Sequence, residues 1–231
     1  MMRFGLQKLT LLDYPGVTAC TVFTCGCNFR CPFCHNASLV TGKQGDLPYD
    51  ANDLLQFLAD RKKILDGVCI TGGEPLLHPE LTDVIAAVKQ LGYLVKLDTN
   101  GSNPEVLGDL LGRGMVDYVA MDIKHCREKY SIGSGSDTAL ANVEKSVELL
   151  KNAAVDFEFR TTVVSPLHTA EDIGALARWI SGCKRYYLQN YVDSGDILCA
   201  NGNFSPVGDE ELEKMLAAVQ AYVPGALIRG K

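Results

Sequence analysis

Three cysteines lie close together near the start of the chain, where Cys27, Cys31 and Cys34 form a Cys-x3-Cys-x2-Cys spacing. A closed structural zinc site takes four protein ligands, and a fully protein-ligated iron-sulfur cubane also takes four thiolates. A compact set of three therefore leaves one coordination position free. An open position on a metal indicates chemistry at that site.

Two less reactive interpretations fit the same residues. His35 follows Cys34 directly and could complete a Cys3His zinc knuckle. The thiols could also be ordinary buried side chains, because free cysteine behaves as a small hydrophobic residue. The spacing alone leaves these alternatives open.

A second motif follows a short apolar stretch at residues 68–71, which we expect to be a strand. The stretch runs into Gly72, Gly73, Glu74 and Pro75. Two consecutive glycines let a ligand approach the backbone closely, and Glu74 offers a carboxylate to a cation. The alternative is a tight connection between a strand and a helix.

Strand and helix patterns alternate along the elements that must position these motifs. We predict strands at 17–23, 68–71, 95–99, 118–122, 157–163 and 186–191, and helices at 53–65, 81–91, 105–111, 140–150, 173–180 and 212–222. Such alternation predicts a parallel sheet with right-handed crossovers. Six units are fewer than the eight of a closed TIM barrel, so we predict an α/β fold, an open (β/α)6 partial TIM barrel.

The sequence also predicts the number of domains and the structure of two further segments. We expect a single domain over residues 1–231, because this length supports a full hydrophobic core. Residues 1–16 are predicted to be an irregular lead-in, and residues 131–136, rich in glycine and serine, a flexible surface loop.

Composition restricts the class of protein. The formal net charge of −6 gives no basic footprint for nucleic acid. No apolar run approaches the ~20 residues that span a bilayer. The nine cysteines follow no apolar signal sequence, so we expect a reduced, cytoplasmic protein without a membrane segment.

The cysteine triplet followed by Gly-Gly-Glu-Pro resembles the radical S-adenosylmethionine superfamily, over essentially the whole chain. Residues 34–36 (Cys-His-Asn), 97–101 (Leu-Asp-Thr-Asn-Gly) and 121–124 (Met-Asp-Ile-Lys) resemble one branch, the activating enzymes of glycyl radical proteins. Residues 12–16 (Leu-Asp-Tyr-Pro-Gly), taken with Cys-Pro-Phe-Cys-His-Asn, are most similar to the activating proteins of anaerobic ribonucleoside-triphosphate reductase.

The resemblance implies a radical mechanism. Cys27, Cys31 and Cys34 would bind three irons of one 4Fe-4S cluster, and the fourth iron would chelate S-adenosylmethionine. An electron from a flavodoxin or a ferredoxin would cleave this cofactor to a 5′-deoxyadenosyl radical, which takes hydrogen from a glycine of a glycyl radical enzyme. Cys25 as a fourth ligand would block that chelation, so we expect that it does not bind the cluster.

The resemblance also implies roles for residues at strand ends. The turn formed by Gly72, Gly73, Glu74 and Pro75 would bind the methionine amino group. Asp98, Thr99 and Asp122 would bind the cofactor region and a monovalent cation, and Lys124 and Arg160 would face the cofactor carboxylate. Locally, Asp98 and Thr99 could equally be cap or turn residues, and Lys124 a solvated lysine.

One departure leaves the partner open, because many glycyl radical activators carry an arginine where this chain has Thr18. The sequence assigns no role to Cys199. The competing hypotheses are a radical enzyme acting on a small molecule, like 7-carboxy-7-deazaguanine synthase, and a non-enzymatic metal-binding structural module.

Overall fold

One sheet of nine strands runs through the protein, whose computed structural model describes residues 2–42, 44–199 and 202–230. The strands are β1 (Arg3–Thr10), β2 (Ala19–Thr24), β3 (Tyr49–Asp50), β4 (Gly67–Gly72), β5 (Leu94–Thr99), β6 (Tyr118–Asp122), β7 (Asp156–Val163), β8 (Tyr186–Asn190) and β9 (Leu227–Arg229).

Eight α-helices accompany the strands in the part of the chain that the structure describes. They are α1 (Ala37–Thr41), α2 (Ala51–Arg61), α3 (Leu81–Gln90), α4 (Pro104–Gly112), α5 (Tyr130–Ser134), α6 (Leu140–Lys151), α7 (Ala170–Trp179) and α8 (Asp209–Gln220). Within the described ranges, no helix has the length and apolar character needed to cross a membrane.

The strand order is β3-β1-β2-β4-β5-β6-β7-β8-β9, and every neighbouring pair from β2 to β9 is parallel. β1 is antiparallel to β2 and to β3. Among the described residues β3 and β9 are the two ends of the sheet, so the barrel stays open. The predicted open α/β barrel is confirmed, and its six predicted strands correspond to β2 and β4–β8.

The two faces of the sheet differ in polarity. Helix α3 buries Leu81, Val84, Ile85 and Val88, the apolar face that the sequence predicts. Parallel strands covered by helices bury their outer side chains, as Val68 and Ile70 of β4 do. The opposite, inner face carries polar and charged side chains, and it is this face that forms the site.

The prediction of an irregular lead-in at residues 1–16 is wrong for half of that stretch. Residues Arg3–Thr10 form β1, in which Gly5 pairs with Phe23 and Gln7 with Thr21 of β2. Phe4 and Leu6 of this strand pack on the core, while Gln7 and Lys8 are exposed. An antiparallel strand can have one face on the core and the other in solvent. The exposed polar residues of β1 therefore interrupt the apolar run by which a buried strand is recognised in a sequence.

The prediction of a flexible surface loop at residues 131–136 is also wrong. Residues Tyr130–Ser134 form α5, and Tyr130, Gly133 and Ser134 are buried. Gly135 ends the helix in the left-handed conformation with a φ of 64°. Small residues here permit close backbone packing, although the same composition is typical of mobile loops.

The strand β9 is held to the barrel by an ion pair between the partly exposed Arg229 and the buried Glu158. Arg229 contacts both carboxylate oxygens of Glu158 on β7, at 2.7 and 2.9 Å, and Tyr118 donates to the same carboxylate at 2.8 Å. Glu158 is fully buried. The Arg229 guanidinium also lies 4.0 Å from the ring centroid of Tyr187.

We expect Arg229→Met to lower the free energy of unfolding by about 3–5 kcal/mol, because it leaves the buried carboxylate of Glu158 without its cation. Urea denaturation measures this loss. Arg113→Met is the matched control, since Arg113 pairs with Asp109 on the exposed surface of α4, where we expect a loss below about 1 kcal/mol. Similar losses in both variants would contradict the importance of the β9 pair.

Candidate active site

The three clustered cysteines line one cavity of about 240 Å³, here called the cysteine cavity. The loop that carries them, residues 27–34 or the cysteine loop, follows the carboxyl end of β2. Cys31 is buried, and Cys27 and Cys34 are partly exposed. The cavity therefore lies at the edge of the sheet where parallel α/β folds place function.

The cavity supplies hydrogen-bond donors to the cysteine sulfurs, but burial keeps the thiols of Cys27 and Cys31 protonated. The backbone N–H of Phe29 donates to Cys27 Sγ at 3.3 Å, and Asn100 Nδ2 lies 3.7 Å from the same atom. Burial raises the pKa of Cys27, and it raises the pKa of Cys31 to about 12. Thiols in such a place ionise when a metal binds them, so the donor set fits an iron-sulfur cluster.

Cys25 does not line the cavity. Its thiol donates to the backbone oxygen of Leu39 at 3.3 Å, and Gly42 packs closely beside it. His35 does line the cavity, and burial lowers its pKa. Three thiols therefore line the cavity without a fourth from Cys25, and the expected absence of Cys25 from the ligand set stays a prediction consistent with this geometry.

The two glycines at the end of β4 are required by close contact with the chain itself. Gly72 has a φ of 115°, and a Cβ there would lie 2.3 Å from the Thr24 oxygen. A Cβ on Gly73 would lie 2.0 Å from the Gly26 oxygen. The turn thus packs against the chain that leads into the cysteine loop, while Gly72 and Gly73 also line the cavity.

Glu74 ties β4 to β5 inside the protein. Its fully buried carboxylate accepts hydrogen bonds from Thr99 Oγ1 at 2.7 Å, the Asn100 N–H at 2.6 Å and the Leu76 N–H at 3.1 Å. Burial raises the pKa of Glu74 to about 7, while these donors oppose the shift. The carboxylate is satisfied by the chain, and neither Glu74 nor Pro75 lines the cavity.

Acidic and basic side chains form a row of ion pairs on the inner face of the sheet. Lys96 pairs with Asp98, and Arg160 contacts Asp98 at 3.2 Å and Asp122 at 2.8 Å. Lys124 reaches Asp122 at 3.0 Å. Burial would raise the pKa of Asp122, but the Arg160 and Lys124 cations outweigh it and hold that pKa well below its usual range.

Most predicted site residues meet in this one cavity. Those that line it are Cys27, Cys31, Cys34, Gly72, Gly73, Asp98, Thr99, Asp122, Lys124 and Arg160. Sequence reasoning missed Asn100, Thr162 and Gln189, which also line it. Their positions at the carboxyl ends of predicted strands were the available signal.

The predicted cation-binding residues already have partners within the chain. Arg160 contacts both Asp98 and Asp122, and the Thr99 hydroxyl donates to Glu74. The anion that a buried arginine requires is thus provided by two carboxylates of the protein.

His168 is hydrogen-bonded to the backbone oxygen of Lys124. The His168 ring packs edge-on against Phe33 of the cysteine loop, with ring centroids 5.8 Å apart. Burial lowers the pKa of His168 to about 4, so the ring is neutral at neutral pH. Its Nδ1 accepts from the Val164 N–H at 3.2 Å, and its Nε2–H therefore donates to the Lys124 oxygen at 3.0 Å.

We expect acid to destabilise the fold through His168. The unfolded chain binds this proton near pH 6.5 and the folded chain only near pH 4, so the free energy of unfolding falls as pH drops across that interval. The difference of about 2.5 between the two pKa values corresponds to about 3 kcal/mol. His168→Gln keeps an amide donor for Lys124 but does not titrate, so urea denaturation should show a shallower pH dependence; an unchanged slope would refute this assignment.

Comparison with known proteins identifies the family. The family described as the radical SAM superfamily matches residues 21–180. A protein of Methanocaldococcus jannaschii, provisionally named a glycyl-radical enzyme activating enzyme, is 31% identical over 232 residues, covering 97% of this chain and 94% of that protein. The pyruvate formate-lyase-activating enzyme of Clostridium pasteurianum is 30% identical, covering 78% of this chain and 76% of that enzyme.

A solved structure agrees on the fold. Streptococcus suis SuiB bound to precursor peptide SuiA aligns with a TM-score of 0.71 at 16% identity, over 91% of this chain and 48% of that chain. This protein thus spans about half the length of SuiB, and the likeness concerns the fold alone. With the family match over most of the chain and the near full-length relative, this chain belongs to the radical S-adenosylmethionine superfamily, in the branch of the glycyl-radical enzyme activating enzymes.

Proposed function

We propose that this protein generates a glycyl radical on anaerobic ribonucleoside-triphosphate reductase. The observation that carries the radical chemistry is the cysteine cavity, where three thiols meet two glycines and two cations without the thiol of Cys25. The choice of reductase rests on residues 12–16 and on the Cys-Pro-Phe-Cys-His-Asn phrase, which resemble its activating proteins.

Cys27, Cys31 and Cys34 would hold one 4Fe-4S cluster, with S-adenosylmethionine beside it. When bound, the cluster supplies the electron that cleaves the cofactor, and the radical so formed takes hydrogen from a glycine of the partner. The task of the protein is to bind and orient these groups.

The charged residues are suited to an amino acid headgroup. Lys124 forms a salt bridge with Asp122 and lines the same cavity as the cysteines. Its ammonium is therefore placed to attract a carboxylate. Arg160, held between Asp98 and Asp122, adds a second cation on the same wall. Gly72 and Gly73 line the same cavity, and their turn would bind the methionine amino group.

Phe29, Phe33 and Val40 provide the apolar part of the cavity lining. All three are buried, and the two phenylalanines flank Cys31 in sequence. Apolar walls next to a reactive centre exclude water and limit side reactions. Burial of this kind also shifts the reduction potential of a bound cluster.

The other parts of the assignment stay predictions. They are a flavodoxin or ferredoxin as electron donor, a cytoplasmic location, and a monovalent cation at Asp98, Thr99 and Asp122. Arg160 already neutralises both carboxylates, so the cation would have to share them with the arginine.

We expect anaerobic reconstitution with iron and sulfide to yield a reduced cluster whose electron paramagnetic resonance signal shifts on adding S-adenosylmethionine, with release of 5′-deoxyadenosine. Cys31→Ala should abolish both effects, because it removes one of three ligands. Cys25→Ala is the matched control and should keep both, since its thiol points to Leu39. Bound zinc instead of a cluster would support a structural module.

We expect the reconstituted enzyme to produce a glycyl radical signal on anaerobic ribonucleoside-triphosphate reductase, together with one equivalent of 5′-deoxyadenosine per radical. The control reductase carries alanine in place of the radical glycine and should show no signal. Signal on a different glycyl radical enzyme alone would correct the partner. Turnover of a deazaguanine precursor without any protein partner would favour the small-molecule enzyme.

A further inference from the structure

The two halves of the cysteine cavity come from strands that are not neighbours. The cysteine loop follows β2 and Lys124 follows β6, and the strand order places β4 and β5 between them. Both halves must nevertheless face the same ligand. Pairing between strands does not set the cysteine loop against Lys124, so other contacts have to do so.

Residues 133–135 contact the cysteine loop at Arg30 and Cys31. The N–H of Arg30 donates to the Ser134 oxygen at 2.9 Å, and Cys31 Sγ lies 3.7 Å from that same oxygen. A Cβ on Gly135 would lie 2.2 Å from the Arg30 oxygen and 2.5 Å from its carbonyl carbon. The backbone of Gly135 thus packs directly on the residue that precedes Cys31.

The same segment touches Lys124 on its other side. A Cβ on Gly133 would lie 2.5 Å from the Lys124 oxygen and 2.9 Å from its carbonyl carbon. That oxygen also accepts the hydrogen bond from His168. The backbone of Lys124 is therefore held between a histidine ring and a glycine that has no side chain.

Hydrogen bonds within the segment and one aromatic contact hold it in place. Gly135 closes α5 through its N–H, which donates to the Ser131 oxygen at 2.8 Å. The Ser134 hydroxyl donates to the Tyr130 oxygen at 2.8 Å and accepts from the Ser136 N–H at 3.2 Å. The buried Tyr130 ring packs edge-on against Phe29 of the cysteine loop.

We propose that residues 133–135 are a positioning element that sets the cysteine loop against Lys124, with Gly135 controlling the cluster side and Gly133 the cofactor side. This inference rests on the proposed function, because it assumes that both sides serve one bound cofactor. It assigns a purpose to a segment whose composition predicts only a mobile loop.

The test compares each glycine with a matched glycine that lacks the contact. Gly135→Ala is paired with Gly114→Ala, because Gly114 has a φ of 61° against 64° for Gly135 and no atom within 4 Å of the place that a Cβ would occupy. Gly133→Ala is paired with Gly112→Ala, since both are helical and Gly112 has open space around it. Differences within a pair then report the contact and not the backbone strain.

We expect Gly135→Ala to retain less than half the iron per chain of Gly114→Ala after identical anaerobic reconstitution, and to shift the midpoint potential of the remaining cluster. We expect Gly133→Ala to keep the iron content of Gly112→Ala but to bind S-adenosylmethionine at least tenfold more weakly. The affinity is read by titrating the cofactor-induced change in the paramagnetic signal. This split between the two glycines is what a positioning role requires.

Variants that equal their controls in iron content, potential and cofactor affinity would overturn the inference, even if they unfold more easily. If Gly135→Ala does not fold, Ser134→Ala replaces it, because it loosens the segment without adding atoms and should show the same loss of iron. Wild-type protein that takes up no cluster would overturn the proposed function and this inference together, whereas a normal wild type with unaffected variants overturns the inference alone.

Discussion

The ionic row on the inner wall of the barrel is the interaction on which the rest of the site depends. Asp98 and Asp122 leave adjacent strands on the same face, and Arg160 of the next strand lies between them. Two carboxylates brought this close without a cation would be strongly disfavoured. The arginine therefore makes a polar interior compatible with a stable sheet, and Lys124 ends the row with a cation beside the cysteines.

The cysteines depend on that cation in turn. Burial favours the protonated thiols and raises the pKa of Cys31 to about 12. A cluster held by these cysteines would require them as thiolates and would add negative charge to the cavity. Lys124, together with Phe29 and Asn100, which donate hydrogen bonds to Cys27 Sγ, would offset that charge. Hydrogen bonds to the sulfurs and burial are the means by which a protein adjusts the potential of a cluster.

Glycine performs a structural task in this site that composition does not reveal. Gly72 and Gly73 bring the end of β4 against residues 24–26, and Gly135 brings α5 against Arg30. In each case a Cβ would overlap a backbone atom of the chain that leads into or forms the cysteine loop. The cysteine loop is thus held in place by backbone contacts. Its side chains are therefore free to line the cavity without having to stabilise the fold of the loop.

The sequence by itself determined the class of fold and the six central strands through apolar periodicity, and the three clustered thiols through their spacing. The other predicted residues that line the cavity came from the resemblance of short motifs to a known family. Carboxyl ends of parallel strands meet at one edge, so Asp98 and Asp122 could be expected there, whereas Arg160 lies within β7. Only the tertiary structure decided that Glu74 turns inward to β5, that residues 3–10 form a strand near the sheet edge, and that Gly133 and Ser134 are buried. These outcomes rest on contacts between segments far apart in the chain, whose partners leave no mark in the local pattern.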